Sequence, residues 1–137
     1  MEERLVTDWL LISSIIRNNR IINDLPYREA IIISLLKRNN GELSFKDLTI
    51  KSKILKSQLN KTLNNLEKKQ FIVKKINEND HRSKIIYLTK EGIKEYGSFH
   101  PKAIQLGKEI IKILGNEKAE DLALIFEKII KEQEKLK

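Results

Sequence analysis

The sequence predicts a mostly α-helical fold with one small β-hairpin. Three observations support this prediction. Apolar residues recur at helical spacing along most of the chain, turn and capping residues divide these stretches, and one stretch in the second half is rich in β-branched residues. The chain has 137 residues, 40% of them hydrophobic and none of them cysteine, so one domain or one protomer can bury a core without disulfide bonds.

Two strongly apolar helices are predicted at the start of the chain. The first covers residues 2–23, where apolar residues repeat close to every 3.6 positions and widen into a face that needs partners on two sides. The segment Asn23-Asp24-Leu25-Pro26 separates this helix from the next. Proline is favoured in the first turn of a helix, so Pro26 is expected to begin a new one. The second helix then runs to Arg38, where Asn39-Asn40-Gly41 supplies turn chemistry.

The next two helices are shorter and are separated by a tight turn. Ser44, with Asp47 three residues later, forms the capping-box pattern that opens a helix to about Lys51. A further helix covers residues 55–69, and its apolar residues form only a narrow stripe. Two short helices in this arrangement are predicted to form a helix-turn-helix, a motif that places its second helix in the major groove of DNA.

A β-hairpin and two more helices complete the prediction. Residues 71–76 and 83–88 are predicted strands, and the polar segment 77–82 is expected to form a long tip between them. Thr89 can cap a helix over residues 90–114, which Gly97 and Pro101 should kink or interrupt. The last helix is expected from about Glu117 to the C-terminus.

Positive charge is concentrated in the middle of the chain. Residues 37–94 carry 15 Lys or Arg and 6 Asp or Glu, a net charge of +9, whereas residues 1–36 carry −1 and residues 95–137 are neutral. This excess covers the helix-turn-helix and the hairpin. A basic surface of this kind indicates a polyanionic partner, such as double-stranded DNA.

The predicted second helix of the helix-turn-helix has the side chains that DNA recognition requires. Asn and Gln pair with adenine, Lys pairs with guanine, and Ser contacts several base edges, whereas carboxylates would face phosphates. Only Glu67 is acidic on residues 55–69. Taken alone, such a face can equally be an ordinary solvated surface. The candidate contacts on this helix are Lys56, Ser57, Gln58, Asn60, Lys61 and Asn64.

The hairpin after the helix-turn-helix predicts a winged helix. A basic wing tip reaches the minor groove, where an inserted Arg senses the negative potential of a narrow A·T stretch. Asp80 lies two residues before Arg82 and can hold its guanidinium by a bidentate pair. The candidate wing residues are Lys74, Lys75, Asp80, Arg82 and Lys84.

The segment from Asp80 to Gly92 resembles the wing signature of the MarR family of bacterial winged-helix regulators: Asp-x-Arg, a short apolar strand, then Leu-Thr-x-x-Gly. Lys46-Asp47-Leu48 and the stretch 66–72 also match that family, so the resemblance covers residues 43–92. Three positions depart from the pattern. Lys53 stands where the family often has Gly in the turn, Gln70 where it usually has Gly after the recognition helix, and Leu55 where it often has a capping Asp.

The resemblance implies a homodimer that reads a palindromic operator and represses transcription, often until a ligand relieves repression. Residues 1–24 and 95–137 would form the helical dimerisation region, which explains their wide apolar faces, and residues 25–94 the winged helix. Carried over by position, Ser57, Gln58, Asn60 and Lys61 would read bases, and Arg82, oriented by Asp80, would enter the minor groove. Lys56, Lys74, Lys75 and Lys84 are phosphate candidates on charge and placement alone.

The resemblance also suggests a site for a small-molecule effector. Family members often sense a small molecule, and a crevice for such an effector could be lined by Trp9, Tyr27, Tyr96 and Phe99, although aromatic residues at helical spacing are more often core.

The sequence shows no sign of catalysis. We find no catalytic constellation, cofactor motif or metal-ligand spacing, and we therefore expect no enzyme. No membrane span or signal peptide is visible, so we expect a cytoplasmic protein. The competing function is a winged helix for nonspecific nucleic-acid binding or protein interaction.

Overall fold

The computed structural model describes residues 1–18 and 25–133, and it confirms a mostly α-helical chain with a small β-hairpin. The predicted end of the first helix at Asn23 lies outside the described residues. The elements in chain order are α1 (Glu2–Asn18), α2 (Tyr27–Arg38), β1 (Glu42–Ser44), α3 (Phe45–Ser52), α4 (Lys56–Lys68), β2 (Ile72–Asn77), β3 (Asp80–Leu88), α5 (Lys90–Leu114) and α6 (Asn116–Lys131).

Two features of the sheet differ from the prediction. Strand β1 was not expected, because three residues are too few to show alternation, and it is held at the sheet edge by pairing Leu43 with Ile86 of β3. The wing tip is also tighter than expected, since only two residues separate β2 from β3. The expected long tip at residues 77–82 is therefore wrong, and Asp80 and Arg82 lie within β3.

The three strands form an antiparallel sheet in the order β1-β3-β2. The β2–β3 register is regular from the pair Ile72–Leu88 to the pair Ile76–Lys84, and then it shifts so that Asn77 pairs with Asp80. The shift leaves residues 81–83 as a bulge on β3. Bulges re-aim side chains next to functional sites, and this one contains Arg82.

The core joins the helix-turn-helix to the wing. Apolar side chains of α2, α3, α4 and the sheet are fully buried together, so α4 and the wing are positioned by one hydrophobic cluster. Burial of each such side chain stabilises the fold by about 1.5–3 kcal/mol before entropy is counted. The largest of these side chains are Ile32, Ile33, Leu36, Leu48, Leu59, Leu63, Leu66, Ile72 and Ile86.

The described chain divides into two compact units, Met1–Pro101 and Lys102–Lys137. The division falls inside α5, which is one helix from Lys90 to Leu114 although Pro101 has no N–H to donate, so the expected interruption there is wrong. The second unit contains the end of α5 and all of α6. Within residues 1–18 and 25–133, no helix is long and apolar enough to cross a bilayer.

Two of the departures from the family pattern occupy strained backbone positions. Lys53, between α3 and α4, has φ +61°, and Gln70, after α4, has φ +67°. Residues with a Cβ pay roughly 1–2 kcal/mol in this left-handed region, which glycine adopts freely. The strain at Gln70 agrees with its position directly after a helix, where a glycine usually stands.

Replacing Gln70 by Gly is therefore expected to stabilise the protein. The relief of strain exceeds the added freedom of the unfolded chain, and we expect a net gain of about 0.5–1 kcal/mol in the free energy of unfolding. Urea denaturation at a fixed protein concentration measures it. Lys68→Gly, at the last residue of α4, is the matched control and should lose up to about 1 kcal/mol. Equal losses in both variants would contradict the account.

Candidate nucleic-acid interface

Helix α4 presents a polar face opposite its core face. Leu59, Thr62, Leu63 and Leu66 are buried. On the other side, four predicted contacts follow the i, i+3, i+4, i+7 spacing of one helical face, and all four are exposed. These are Ser57, Asn60, Lys61 and Asn64, with exposed Lys56 at the helix start and half-buried Gln58 at the edge of the face.

The turn before α4 is built by short polar contacts. The Ser44 hydroxyl accepts a hydrogen bond from the Asp47 N–H at 3.0 Å, which confirms Ser44 as the N-cap of α3. At the other end of α3, the Ser52 Oγ accepts from the Ile54 N–H at 3.2 Å. Leu55 then occupies the N-cap position of α4, where its apolar side chain cannot accept a hydrogen bond.

Lys74 connects the wing to α4. Its ammonium donates a hydrogen bond to the Asn64 side-chain oxygen and lies 3.7 Å from the Glu67 carboxylate. Its side chain is mostly buried by these contacts. We therefore correct the assignment of Lys74 as a free phosphate contact, because its charge is already paired. Lys74 instead fixes the wing against the exposed face of α4.

The wing tip presents Arg82 to solvent. Its side chain is 97% exposed, and its backbone N–H donates to Asp80 Oδ1 at 3.0 Å. The same carboxylate oxygen lies 3.8 Å from Arg82 Nε, so the ion pair is loose rather than bidentate as predicted. Ser83 adds a hydrogen bond from its hydroxyl to the Asp80 carbonyl at 3.1 Å. Asp80 thus shapes the backbone around Arg82 and pairs only loosely with its guanidinium, which stays exposed to solvent.

The outer face of the wing sheet carries a second cation. The Lys75 ammonium lies 5.4 Å from the centre of the Tyr87 ring, a cation–π contact. The pKa of Tyr87 is raised, first by desolvation and then by the Glu42 carboxylate, which accepts a hydrogen bond from the phenol. Lys75 and Lys84 are exposed, as a phosphate contact requires.

The Leu-Thr-x-x-Gly part of the motif forms the joint between the wing and α5. The Thr89 hydroxyl donates to the Gln70 carbonyl at 2.6 Å and accepts from the Gly92 N–H at 3.0 Å. A Cβ at Gly92 would overlap the carbonyl oxygen of Phe71 and the side chain of Leu88, so only glycine fits. The motif therefore holds the end of α4, the wing and the start of α5 together.

An ion pair that sequence reasoning missed links α2 to the end of α4. The Lys69 ammonium lies 2.7 Å from Glu29 Oε1, and the Glu29 side chain is only 4% exposed. The two residues are 40 positions apart, and no local pattern relates them. The one available signal was a carboxylate directly before the apolar run of residues 30–33, because a buried carboxylate needs a partner.

The four aromatic residues predicted to line an effector crevice have different surroundings. Phe99 is 3% exposed and belongs to the core, so we remove it from the predicted crevice. Tyr96 contacts Phe99 edge to face, with ring centres 5.6 Å apart. Tyr27 lies beneath the guanidinium groups of Arg17 and Arg28, at 5.3 and 5.9 Å, and Trp9 is exposed on α1.

Comparison with known proteins supports a regulatory role. The family model for the transcriptional regulator SarA/Rot matches residues 16–97, more than half of the chain. No curated protein matches the sequence. Among solved structures, NadR in complex with 4-hydroxyphenylacetate is 27% identical over 93% of this chain and 90% of its own, with a TM-score of 0.76.

Two further structures share the fold. Sco3205, a MarR family transcriptional regulator from Streptomyces coelicolor in complex with DNA, is 20% identical over 94% of this chain and 86% of its own, with a TM-score of 0.79. The PcaV regulator of the same organism, in complex with its natural ligand, is 12% identical over 94% and 91%, with a TM-score of 0.81. The resemblance to MarR regulators is confirmed, and the chain belongs to the SarA/Rot family of transcriptional regulators.

Proposed function

We propose that the protein is a cytoplasmic homodimeric repressor that binds a palindromic DNA operator. The observation that carries this proposal is the placement of two exposed recognition elements on one rigid core. The exposed face of α4 is polar and acid-poor, the Arg82 side chain is almost fully exposed, and Lys74 holds the wing against α4.

In this proposal α4 lies in the major groove. Ser57, Asn60 and Lys61 share its exposed face, and the amide, hydroxyl and ammonium groups match the donors and acceptors of base edges. Gln58 is half-buried, so it reaches DNA only from the edge of this face. The phosphate contacts come from Lys56, Lys75 and Lys84, and they position the protein without reading sequence.

The wing extends the contact into the neighbouring minor groove. The bulge at residues 81–83 and the hydrogen bond from Asp80 hold the Arg82 backbone at the tip of β3. An arginine inserted there favours a narrow A·T stretch, because the negative potential of the minor groove is strongest where it is narrow.

Dimer formation is supported by exposed apolar surface in both units of the chain. Eight large apolar side chains of α1 are between 43% and 63% exposed, and those of α6 are similarly open. Monomeric soluble proteins rarely leave continuous apolar faces of this size in water. A groove of about 660 Å³ between α5 and α6, lined mainly by apolar residues such as Ile110, Ile111 and Phe126, offers further surface to a second copy.

A second copy also explains the palindrome. Two-fold symmetry presents two α4 helices to DNA, and the half-sites must then lie about one helical turn, roughly 34 Å, apart. In this proposal residues 1–24 and 95–137 form the dimerisation region, and residues 25–94 bind DNA. Residues 19–24 and 134–137 of the dimerisation region lie outside the described residues.

The alternative, a winged helix for nonspecific nucleic-acid binding or protein contact, is less well supported. A protein interface would need exposed aromatic or apolar anchors on the face of α4, where Asn60, Lys61 and Asn64 stand instead. Nonspecific binding depends on phosphates alone and would not use amide side chains in this arrangement.

A small-molecule effector is a further part of the proposal. NadR, 27% identical, was solved with 4-hydroxyphenylacetate, an aromatic carboxylate. In this chain Tyr27 and the two guanidinium groups of Arg17 and Arg28 combine an aromatic surface with positive charge. Such a combination favours an aromatic anion, by stacking and by charge-assisted hydrogen bonds.

Replacing Arg82 by Ala tests the proposed function. We expect the affinity for an operator with A·T flanks to fall at least tenfold, since each lost charge-assisted contact is worth about 1.5–3 kcal/mol. The dimer and the free energy of unfolding should stay unchanged, because the Arg82 side chain is exposed. Fluorescence anisotropy with labelled duplex at near-physiological salt measures the affinity.

Lys84→Ala is the matched control for this test. It removes one exposed cation from the same strand, and we expect it to lower affinity for all sequences alike and to reduce the salt slope by about one. If Arg82→Ala binds the operator as tightly as the wild type does, the wing does not enter the minor groove and the proposed mode of binding is wrong.

A further inference from the structure

The N-terminus of α4 carries an apolar side chain that residues 1–18 and 25–133 leave mostly uncovered. Leu55 is 69% exposed, although it directly precedes the polar recognition face that begins at Lys56 and Ser57. It also occupies an N-cap position, where Ser, Thr, Asp or Asn would accept a hydrogen bond from the first turn of the helix. Leu55 is thus unfavourable both for the stability of α4 and for solubility.

We propose that Leu55 is a specificity-determining residue that contacts the 5-methyl group of a thymine in each operator half-site. The inference rests on the proposed function and deepens it. The first residues of a recognition helix are the ones that reach base edges. The thymine methyl is the apolar group that the major groove offers, and apolar side chains recognise it.

The surroundings of Leu55 favour DNA as its partner. The residues next to it, Lys53, Lys56 and Ser57, are exposed, and two of them are cations suited to phosphates on either side of the groove. The backbone of Leu55 is already fixed, since its carbonyl accepts a hydrogen bond from the Leu59 N–H at 2.8 Å. The side chain therefore meets DNA without further ordering of the chain.

The test removes only the methyl group. The operator is first identified by selection from a random duplex library. Duplexes of this operator are then prepared in which one thymine at a time is replaced by deoxyuridine, which pairs with adenine as thymine does but lacks the 5-methyl group. At one position in each half-site we expect wild-type affinity to fall about fourfold, the value for one buried methyl or methylene group. At the other positions we expect no change.

The variant Leu55→Ser is tested against the same duplexes, so that protein and base changes together form a double-mutant cycle. Because both protomers of the dimer lose the contact, it should bind the thymine operator about fifteenfold more weakly than the wild type does, and it should show no further loss with deoxyuridine at the contacted position. Its Tm should rise by about 3–5 °C, because serine supplies the missing N-cap. A gain in stability together with a loss of methyl recognition excludes misfolding as the cause.

Ile50→Ser is the matched control, because Ile50 on α3 is also an exposed apolar residue, at 56%. It should keep the full penalty for deoxyuridine. The inference is overturned if the penalty is the same in the wild type and Leu55→Ser at every position, or if the selected half-site has no thymine whose replacement matters. In either case the proposed function still holds if the protein binds one duplex sequence in preference to others. If the protein binds all duplexes equally, both the role of Leu55 and the proposed function are wrong.

Discussion

Replacing Ile12 by Glu is expected to convert the protein to a monomer and to weaken operator binding at least a hundredfold. Ile12 lies on the apolar face of α1 and is 55% exposed, so the substitution leaves the core of a single chain intact. In the proposed dimer it would bury two unpaired carboxylates, and each such charge costs several kcal/mol. Sedimentation velocity at micromolar concentration measures the mass, and anisotropy measures the affinity.

The control for this experiment is Ile50→Glu, a matched change at an equally exposed position on α3. It should remain dimeric. Trp9 is the only tryptophan of the sequence and is exposed on α1, so its emission should shift to shorter wavelength as the wild type associates. An Ile12→Glu protein that sediments as the wild type does would show that α1 is outside the interface.

Replacing Lys69 by Met is expected to destabilise the protein by about 3 kcal/mol. Removing one partner of a buried ion pair leaves an uncompensated charge, which costs about 3–5 kcal/mol, and we place this pair at the low end. The reason is that the Lys69 side chain is 42% exposed, whereas the Glu29 carboxylate that loses its partner is buried. Urea denaturation at a fixed protein concentration gives the free energy of unfolding.

Two variants make this prediction specific. Lys68→Met changes the neighbouring exposed lysine and should cost less than about 0.5 kcal/mol, as surface substitutions do. The double variant Glu29→Gln with Lys69→Met removes the buried charge and should recover part of the loss. Equal stability of the two single lysine variants would mean that the ion pair carries no stability.

Helix periodicity and capping chemistry were sufficient to predict the helical elements. The prediction of Ser44 as a cap came from the side chain itself, because only a hydroxyl or carboxamide oxygen or a carboxylate can satisfy the first turn. Strand β1 could not be predicted, since its three residues form a strand only because β3 passes beside them. The interruption expected at Pro101 did not occur, so the loss of one backbone donor was not enough to end this helix.

The residues of the candidate site were predicted from their types and spacing. Which of these side chains contact one another depends on tertiary structure. The exposed face of α4 follows from helical spacing, so Asn60 and Lys61 could be identified directly. Lys74 was expected to contact phosphate. Only the packing of β2 against α4 in the structure shows that its ammonium already contacts the side chains of Asn64 and Glu67. The Glu29–Lys69 pair joins distant segments, so sequence spacing carries no trace of it.

The most direct test of a dimeric, sequence-specific regulator is selection from a random duplex library at near-physiological salt. Low salt must be avoided, because any protein with a net charge of +8 then binds through phosphates. We predict enrichment of an inverted repeat with half-site centres about ten base pairs apart, matching two α4 helices related by a two-fold axis. Enrichment of no sequence, or of a single half-site without its repeat, would contradict the proposal.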